Sequence, residues 1–339
     1  VIDYIQQQVK PWCVHLSLLR PHPPWVAPEP FNQLYDPAEL KQNVRRASPE
    51  EESEQHPLLN YFLRKNYSSA PDNEDKLARL KSSYFGLMSE VDSNLGRLFD
   101  ELKASGAWNN TLIIFTSDHG EQLGDHWLLG KMGYFDQSYY IPLIIHDPDK
   151  QADVTRDSQC QEFTENVDIM PTMLEWLGLT VPGQCDGRSL LPLLRSREVP
   201  PGWRTQAHWE FDFRDVSTGD ALEQQLGINL HQCSLNVIRG KRYKYVHFTA
   251  LPPLFFDLQE DPNEHIDLGR DAGYGVVRSQ LTEQMLDWGA GLKNRVTVSQ
   301  ETFNHRASGA AGKVGILIGY WQQDDVPVAL QLEPEVSAT

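Results

Sequence analysis

The chain has 339 residues, 40% of them hydrophobic, which is enough for one large hydrophobic core and a smaller core appended to it. Its formal net charge of −17 would repel the phosphate backbone of nucleic acids, which argues against a nucleic-acid partner. No run of the sequence reaches the roughly 18 apolar positions that a membrane helix needs, which argues against a membrane span.

The first part of the chain has the pattern of an α/β domain. Residues 12–19 form a mostly apolar run between prolines, which predicts a buried strand. Apolar residues then recur every three or four positions over 77–102 and predict a long helix that ends at Gly106. The β-prone runs 111–116 and 143–145 follow, and a helix that leads into such strands is typical of a largely parallel sheet.

The later elements differ in character. A second helix is predicted from Asp168, as its N-cap, to Gly178. Beyond residue 203, short β-prone runs separated by turns predict a small antiparallel sheet with a helix packed on it. We expect the strands at 234–238, 243–248 and 254–258 and the helix at about 276–292.

These patterns divide the chain into three expected parts. Residues 1–203 form the main α/β domain and residues 204–294 a smaller α+β subdomain. Residues 295–339 form a tail whose segment 315–321 is too apolar to remain exposed on a monomer. That segment either packs back on the domain or contacts another subunit, so we expect a homo-oligomer.

Candidate metal ligands follow the predicted strand 111–116. Ligands in open α/β sheets bind just beyond the carboxyl ends of strands, and Asp118 and His119 stand side by side there. Their side chains can converge on one ion only if the backbone leaves the strand, which Gly120 permits. A mixed oxygen and nitrogen site suits a divalent ion such as manganese, zinc or calcium. A turn of this composition can also cap a strand without binding anything, so the three residues alone leave both interpretations open.

Two further residues are open to a functional or a structural interpretation. His22 lies between prolines directly after the first predicted strand, and the prolines restrict the backbone around it. It is therefore either a substrate-contacting histidine held in one orientation or part of a rigid turn. Lys131 follows the Asp118 segment, and most lysines at such positions are simply solvated.

A longer series of motifs resembles a known family. Residues 115–126 with Lys131 resemble the sulfatase and alkaline-phosphatase-like superfamily, and residues 118–131 are most similar to its phosphonate monoester hydrolase branch. The resemblance continues, in the expected order, at residues 139–145, 166–174, 186–194 and 255–264. It implies an alkaline-phosphatase-like α/β/α sandwich, of which this chain holds the C-terminal part, followed by the smaller antiparallel sheet and helix.

The resemblance also implies roles for individual residues. Asp118 and His119 would be two ligands of one catalytic divalent metal ion, and Lys131 would contact the transferring sulfuryl, phosphoryl or phosphonyl group. His22 would hydrogen-bond and protonate the oxygen of the leaving group. His126 receives no catalytic role and is expected to be a supporting loop residue.

The nucleophile of the family is missing. Members use a formylglycine made from the Cys or Ser of a C/S-x-P-x-R motif, which does not occur around any cysteine of this chain, and the family's N-terminal aspartate ligands are also absent. The chain begins at Val1 rather than Met, so we expect the nucleophile on an upstream segment; a catalytically silent relative is the alternative.

We therefore expect a metal-dependent hydrolase of sulfate or phosphonate monoesters with a small anionic ester as its substrate. The alternatives are a phosphodiesterase or phosphatase of the same superfamily with a Thr or Ser nucleophile, and a silent metal-binding scaffold. The four cysteines are widely spaced without a C-x-x-C pair, which argues against a zinc knuckle and suits a reducing, cytoplasmic location.

Overall fold

The computed structural model describes residues 1–65, 67–214 and 221–293, so the predicted tail 295–339 with its apolar segment 315–321 lies outside the described residues. The strands are β1 (Ile113–Thr116), β2 (Leu143–His146), β3 (Gln206–Asp212), β4 (Ser234–Gly240), β5 (Tyr243–Phe248) and β6 (Leu254–Asp257). The α-helices are α1 (Ile2–Gln6), α2 (Pro49–Ser53), α3 (Pro57–Leu63), α4 (Glu74–Ala104), α5 (Asp136–Tyr139), α6 (Ile169–Trp176), α7 (Leu191–Arg195), α8 (Ala221–Leu226) and α9 (Gly275–Gly291). Within the described ranges, no helix combines the length and the apolar character that spanning a bilayer requires.

Helix α4 confirms the long helix predicted from the apolar repeat. Its N-cap is Asn73, whose side-chain oxygen accepts a hydrogen bond of 2.8 Å from the backbone N–H of Lys76 and so satisfies a free donor of the first turn. Gly106 follows the end of the helix with a φ of +78°, a conformation that glycine adopts without steric cost. Leu77 and Leu87 are buried along the inner face of the helix.

The first sheet differs from the predicted one. Strands β1 and β2 pair with each other in antiparallel orientation, with Ile113 opposite His146 and Thr116 opposite Leu143. The prediction of a largely parallel sheet is therefore wrong for the described residues. Residues 12–19 form no strand, and Leu19 is 74% exposed. A strand requires a neighbour that supplies its hydrogen bonds, and no described segment pairs with this run, although its apolar pattern alone suggested burial.

Helix α6 confirms the second predicted helix, but Asp168 does not cap it with its side chain. The carboxylate of Asp168 is fully buried and accepts hydrogen bonds from both terminal nitrogens of Arg204. It also accepts backbone N–H groups of Arg188 and Glu165, each at 2.8 Å. Asp168 thus ties the start of α6 to Arg204, two residues before β3.

The small sheet confirms the predicted antiparallel arrangement and contains one more strand. Its order is β3-β4-β5-β6, with every neighbouring pair antiparallel. Strand β3 was not predicted because its sequence, QAHWEFD, lacks a long apolar run. Helix α9 covers one face, where Leu281 and Met285 pack against Ile238, Tyr245 and Phe255.

Helix α3 covers the opposite face of the small sheet and forms the largest core with it. Side chains next to one another on β4 and β6 point to opposite faces, as the pleat of a strand requires. The buried residues of this core include Leu58, Leu59, Tyr61, Phe62, Tyr134, Phe135, Leu235, Val237, Val246, Phe248, Leu254 and Phe256. The core therefore joins residues on both sides of position 203, and the division into domains at that point stays a prediction.

Candidate active site

The turn that carries Asp118 begins where β1 ends and is fixed by hydrogen bonds on both sides. The side-chain amide of Asn166 donates to the backbone oxygen of Ser117 at 2.8 Å, and the Ser117 hydroxyl donates to the backbone oxygen of His119 at 2.7 Å. The backbone N–H of Gly120 donates to the backbone oxygen of Ser138 in α5, also at 2.8 Å. The chain therefore leaves the strand immediately after β1, as the sequence predicted.

Gly120 is required for a different reason from the one expected. Its φ is not in the left-handed region. A Cβ atom at this position would lie only 2.1 Å from the backbone oxygen of Gln137, so the absence of a side chain allows the turn and α5 to approach one another. Close packing, rather than an unusual backbone conformation, explains the glycine.

Asp118, His119 and Lys131 meet at this turn. The Oδ2 atom of Asp118 lies 3.4 Å from Nε2 of His119, and Nζ of Lys131 lies 2.6 Å from the same nitrogen. The side chain of Asp118 is 84% exposed and that of His119 is 22% exposed, so the group of three opens to solvent. The structure thus brings together three of the four predicted site residues.

The protonation of His119 follows from its other contact. Its Nδ1 lies 2.8 Å from the backbone oxygen of Gly120, and because a carbonyl oxygen only accepts, Nδ1 carries the proton. The lone pair of a neutral imidazole therefore lies on Nε2, which faces Asp118 and the ammonium group of Lys131. A carboxylate oxygen and a basic nitrogen directed to one place are suitable ligands for a divalent ion.

The loop from residue 121 to 130 returns Lys131 to this place. A side-chain oxygen of Glu121 accepts the backbone N–H groups of both Leu123 and Gly130, one near each end of the loop. The loop contains three non-glycine residues in the left-handed conformation: Leu123, His126 and Trp127, with φ of 49°, 51° and 59°. Glu121 lies two residues after His119 in the sequence, but no role was predicted for it from the sequence.

His22 lies apart from these three residues in the described contacts. It is exposed, and its Nδ1 lies 2.8 Å from the backbone oxygen of Pro23, so Nδ1 is the protonated nitrogen here too. The neighbouring Arg20 donates to the backbone oxygen of Pro24 at 2.7 Å and holds the proline-rich loop together. No hydrogen bond or ion pair among the described residues joins His22 to the other three, so its role stays a prediction.

His126, which the sequence left without a role, occupies a buried site of its own. The side chain is fully buried, and its Nδ1 lies 2.9 Å from Oε1 of Glu52, 74 residues earlier in the chain. His265 approaches the same oxygen with its Nδ1 at 3.8 Å. The sequence predicted a supporting loop residue at His126, and no local signal could identify partners so distant in the sequence.

A buried network of charges supports the segment after Lys131. Lys244, fully buried on β5, donates to Asp136 at the start of α5, at 2.8 Å, and also to Glu264. Although burial alone would raise it, the cations of Lys244 and Arg239 hold the pKa of Asp136 below its usual value. This network anchors α5, and with it the backbone oxygen that binds Gly120, to the small sheet.

Two family models match the chain. Residues 1–179 match the model described as Sulfatase, and residues 124–290 match the model described as N-sulphoglucosamine sulphohydrolase, C-terminal. The chain belongs to the sulfatase family. The motifs described in the sequence analysis predicted this family, and the match to the family model confirms the prediction.

Individual relatives agree with this assignment. A multifunctional alkaline phosphatase superfamily protein, PehA, from Trinickia caryophylli is 42% identical over 314 residues, which cover 89% of this chain and 59% of that protein. A choline-sulfatase from Rhizobium meliloti is 29% identical, covering 80% of this chain and 49% of its own. The chain thus spans about half to three fifths of the length of these relatives.

Solved structures confirm the α/β, alkaline-phosphatase-like fold class. The crystal structure of a phosphonate monoester hydrolase of Agrobacterium radiobacter matches with a TM-score of 0.79 and 42% identity, covering 85% of this chain and 58% of that one. A phosphonate monoester hydrolase from Silicibacter pomeroyi matches with a TM-score of 0.78 and 33% identity, covering 84% and 58%.

Proposed function

We propose that the protein hydrolyses sulfate or phosphonate monoesters with the help of one divalent metal ion held by Asp118 and His119. One observation carries the proposal: a carboxylate, a basic imidazole nitrogen and an ammonium group meet beyond the end of β1, with separations of 3.4 and 2.6 Å. The net charge of −17 repels anions at long range, so an anionic ester needs a local cation such as the ammonium group of Lys131. The names of the relatives, sulfatases and phosphonate monoester hydrolases, support the type of ester.

Asp118 and His119 fit a divalent ion. Two donors bound to one ion at about 2.1 Å stand about 3.4 Å apart in a tetrahedral site, which agrees with the observed 3.4 Å. The mixed oxygen and nitrogen donors suit manganese, zinc or calcium. The ion would supply positive charge that polarises the ester and lowers the pKa of an attacking hydroxyl group. Two ligands do not complete a coordination shell, so we expect further ligands from another segment.

Lys131 is proposed to bind the oxygens of the transferring group. Its ammonium donates to Nε2 of His119 in this structure, and it would donate to a substrate oxygen when His119 uses that lone pair as a ligand. Glu121 holds the two ends of the intervening loop, so the cation is positioned before the substrate arrives. A fixed cation stabilises the charge that builds up on these oxygens in the transition state.

His22 is proposed to bind and protonate the alcohol that leaves. Its Nδ1–H is engaged by Pro23, which leaves Nε2 as the nitrogen that can face a ligand. For the nucleophile we propose a formylglycine on a segment outside these 339 residues, since no cysteine in the chain opens a C/S-x-P-x-R motif. A hydroxyl group of the hydrated aldehyde would attack sulfur or phosphorus, and the ester bond to the alcohol would break as His22 supplies the alcohol with a proton.

The test uses the full-length protein with p-nitrophenyl sulfate and with a p-nitrophenyl ester of phenylphosphonate. We expect activity that a chelator abolishes and that Asp118→Asn lowers by about 100-fold or more, because one metal ligand is lost. Asp92→Asn, the same change at an exposed position of α4, is the matched control and should retain full activity. Turnover that survives both chelation and Asp118→Asn would refute the metal assignment. Turnover of bis-p-nitrophenyl phosphate alone would favour the phosphodiesterase alternative, and no turnover at all would favour the scaffold.

We also propose a cytoplasmic homo-oligomer. The four cysteines are unpaired in the structure, which supports a reducing location. Light scattering of a chain that ends at residue 293 tests the oligomer. If the number of subunits is the same as in the full chain, the apolar segment 315–321 has no role in assembly. Cell fractionation tests the location.

A further inference from the structure

We infer that Glu52, His126 and His265 form a second metal site, separate from the Asp118–His119 pair, that takes a divalent transition-metal ion such as Zn²⁺. The three side chains come from three segments: helix α2, the loop that leads to Lys131, and the loop after β6. Each offers one ligand atom, and these atoms all lie within 4.8 Å of one another. Two imidazole nitrogens and a carboxylate oxygen are a common ligand set for zinc.

The distances from Glu52 to the two histidines fit a metal site better than they fit a set of hydrogen bonds. Its Oε1 lies 2.9 Å from Nδ1 of His126 and 3.8 Å from Nδ1 of His265. The longer distance exceeds a hydrogen bond, and Nδ1 of His265 is buried without another partner. Two donors bound to one Zn²⁺ at about 2.0–2.1 Å stand about 3.3 Å apart, which lies between the two observed separations.

A second buried nitrogen also has no hydrogen bond. His126 is fully buried, and its Nε2 has no hydrogen-bond partner. Buried polar atoms without partners are rare in folded proteins, and the unpaired Nδ1 of His265 beside Glu52 requires an explanation. A bound ion would pair with this nitrogen and would take the place of the proton that Nδ1 of His126 donates to Glu52. One ion binds one nitrogen of each ring, so Nε2 of His126 is not a ligand in this site.

The carboxylate of Glu52 has the protonation that a ligand needs. Its Oε1 accepts from His126 and its Oε2 accepts the backbone N–H of Arg46 at 2.6 Å, so both oxygens act as acceptors. An ionised carboxylate, which has no proton to donate, fits these contacts. It also supplies negative charge inside the protein, where a cation would otherwise be unfavourable.

The ligands are held in position before any ion binds. The ring of His126 stacks on Phe135 with centroids 3.7 Å apart and an angle of 8° between the planes, and its backbone N–H donates to Val44 at 2.7 Å. His265 is held through its backbone oxygen, which accepts from the guanidinium of Arg46. Rigid ligands lose little entropy on binding an ion.

The proposed site lies beside a surface pocket, to which His265 is the ligand that contributes. His265, whose side chain is 24% exposed, lines this pocket of about 600 Å³. The charged residues of this pocket are Arg46, Arg270, Glu51, Glu54 and Asp267. Three carboxylates against two guanidinium groups mean that the pocket does not exclude a cation by its charge. Three protein ligands leave a fourth position of a tetrahedral ion for a water molecule from the pocket.

The consequence of binding is structural. The ion would link α2 and the loop after β6 to the loop 121–130, which contains His126 and leads to Lys131. Binding would therefore make this loop of the candidate active site more rigid. The inference depends only on the three ligands and not on the proposed hydrolase activity.

The test measures Zn²⁺ content and affinity of the whole chain after metal removal by a chelator and dialysis. The background is Asp118→Asn, which disables the proposed catalytic ion and leaves the second site alone. His265→Gln is the test variant, because His265 is partly exposed whereas a change at the fully buried Glu52 would disturb folding. His247→Gln, the same change at an exposed position of β5, is the matched control.

In the Asp118→Asn background we expect one Zn²⁺ per chain and an increase in Tm when Zn²⁺ is added. Adding His265→Gln should weaken binding by about 100-fold or more and remove the increase in Tm, since even the loss of a group that supports a ligand costs about 10- to 100-fold. His247→Gln should change neither. If the background binds no Zn²⁺, or if His265→Gln binds it as well as His247→Gln, the inference is overturned. If Asp118→Asn binds as many ions as the wild type, the catalytic ion fails while the second site stands.

Discussion

Replacing Gly120 by alanine tests how tightly the candidate active site is held by its neighbour α5. The added Cβ would lie 2.1 Å from the backbone oxygen of Gln137, whereas real Cβ atoms stay at least 3.0 Å from such an atom, so the segments must separate by about 1 Å. The hydrogen bond from Gly120 to Ser138 links the same two segments, and the shift therefore passes to the adjoining His119. A displacement of about 1 Å at a catalytic group costs about 100-fold in rate, and overpacking costs about 1–3 kcal/mol of stability.

The assay compares kcat/KM for p-nitrophenyl sulfate with the free energy of unfolding in urea. Gly96→Ala is the matched control, because a Cβ at Gly96 in α4 would meet nothing within 4 Å and alanine favours a helix over glycine by about 1 kcal/mol. We expect Gly120→Ala to lose about 100-fold in kcat/KM while Gly96→Ala keeps its rate. A Gly120→Ala protein with full activity and unchanged stability would show that α5 does not constrain the turn.

Three further outcomes are expected. Lys131→Ala should lower kcat/KM by about 100-fold or more with an unchanged Tm, because an exposed cation that stabilises the transition state is lost; an unchanged rate in steady-state kinetics would contradict this. Lys244→Met should lower the free energy of unfolding in urea by about 3–5 kcal/mol, because the buried carboxylate of Glu264 loses its cation and the half-buried Asp136 keeps only Arg239; a loss below about 1 kcal/mol would contradict the network. Burial lowers the pKa of His56 from 6.5 to about 4. The unfolded chain therefore takes up this proton first as the pH falls, and stability should decrease between about pH 6.5 and pH 4 by up to about 3 kcal/mol. His56→Gln should lack this decrease. The free energy of unfolding is measured by urea denaturation at several pH values between about 6.5 and 4. If it depends on pH equally in both proteins, His56 is not the cause of the decrease.

The elements that sequence predicted well depend on local patterns. The apolar repeat of α4 and the strand β5, found at the predicted residues 243–248, are determined by side chains close together in the chain. Residues 12–19 and the orientation of β1 and β2 were predicted wrongly because strand pairing depends on which distant segment is available. Periodicity reports the burial of a strand and carries no information about its partner.

In the candidate site, too, features set by neighbouring residues were predicted, and features that depend on distant residues were not. Asp118 and His119 are adjacent in sequence, and the end of β1 placed them correctly by a local argument. The contact between Lys131 and His119 depends on a loop with left-handed non-glycine residues, a conformation for which the sequence gives little warning. Glu52 could not be paired with His126 at all, because 74 residues separate them and only the tertiary fold brings them together.

The core that α3 shares with the small sheet has a consequence for how this chain can be divided. Cutting the polypeptide after residue 203 would uncover the apolar faces of Leu58 and Phe62 and leave the carboxylate of Asp168 without its arginine. The shorter product would be expected to aggregate, because exposed apolar surface and an unpaired buried charge both favour association over folding. Swapping the C-terminal sheet between relatives would therefore have to exchange α3 together with it.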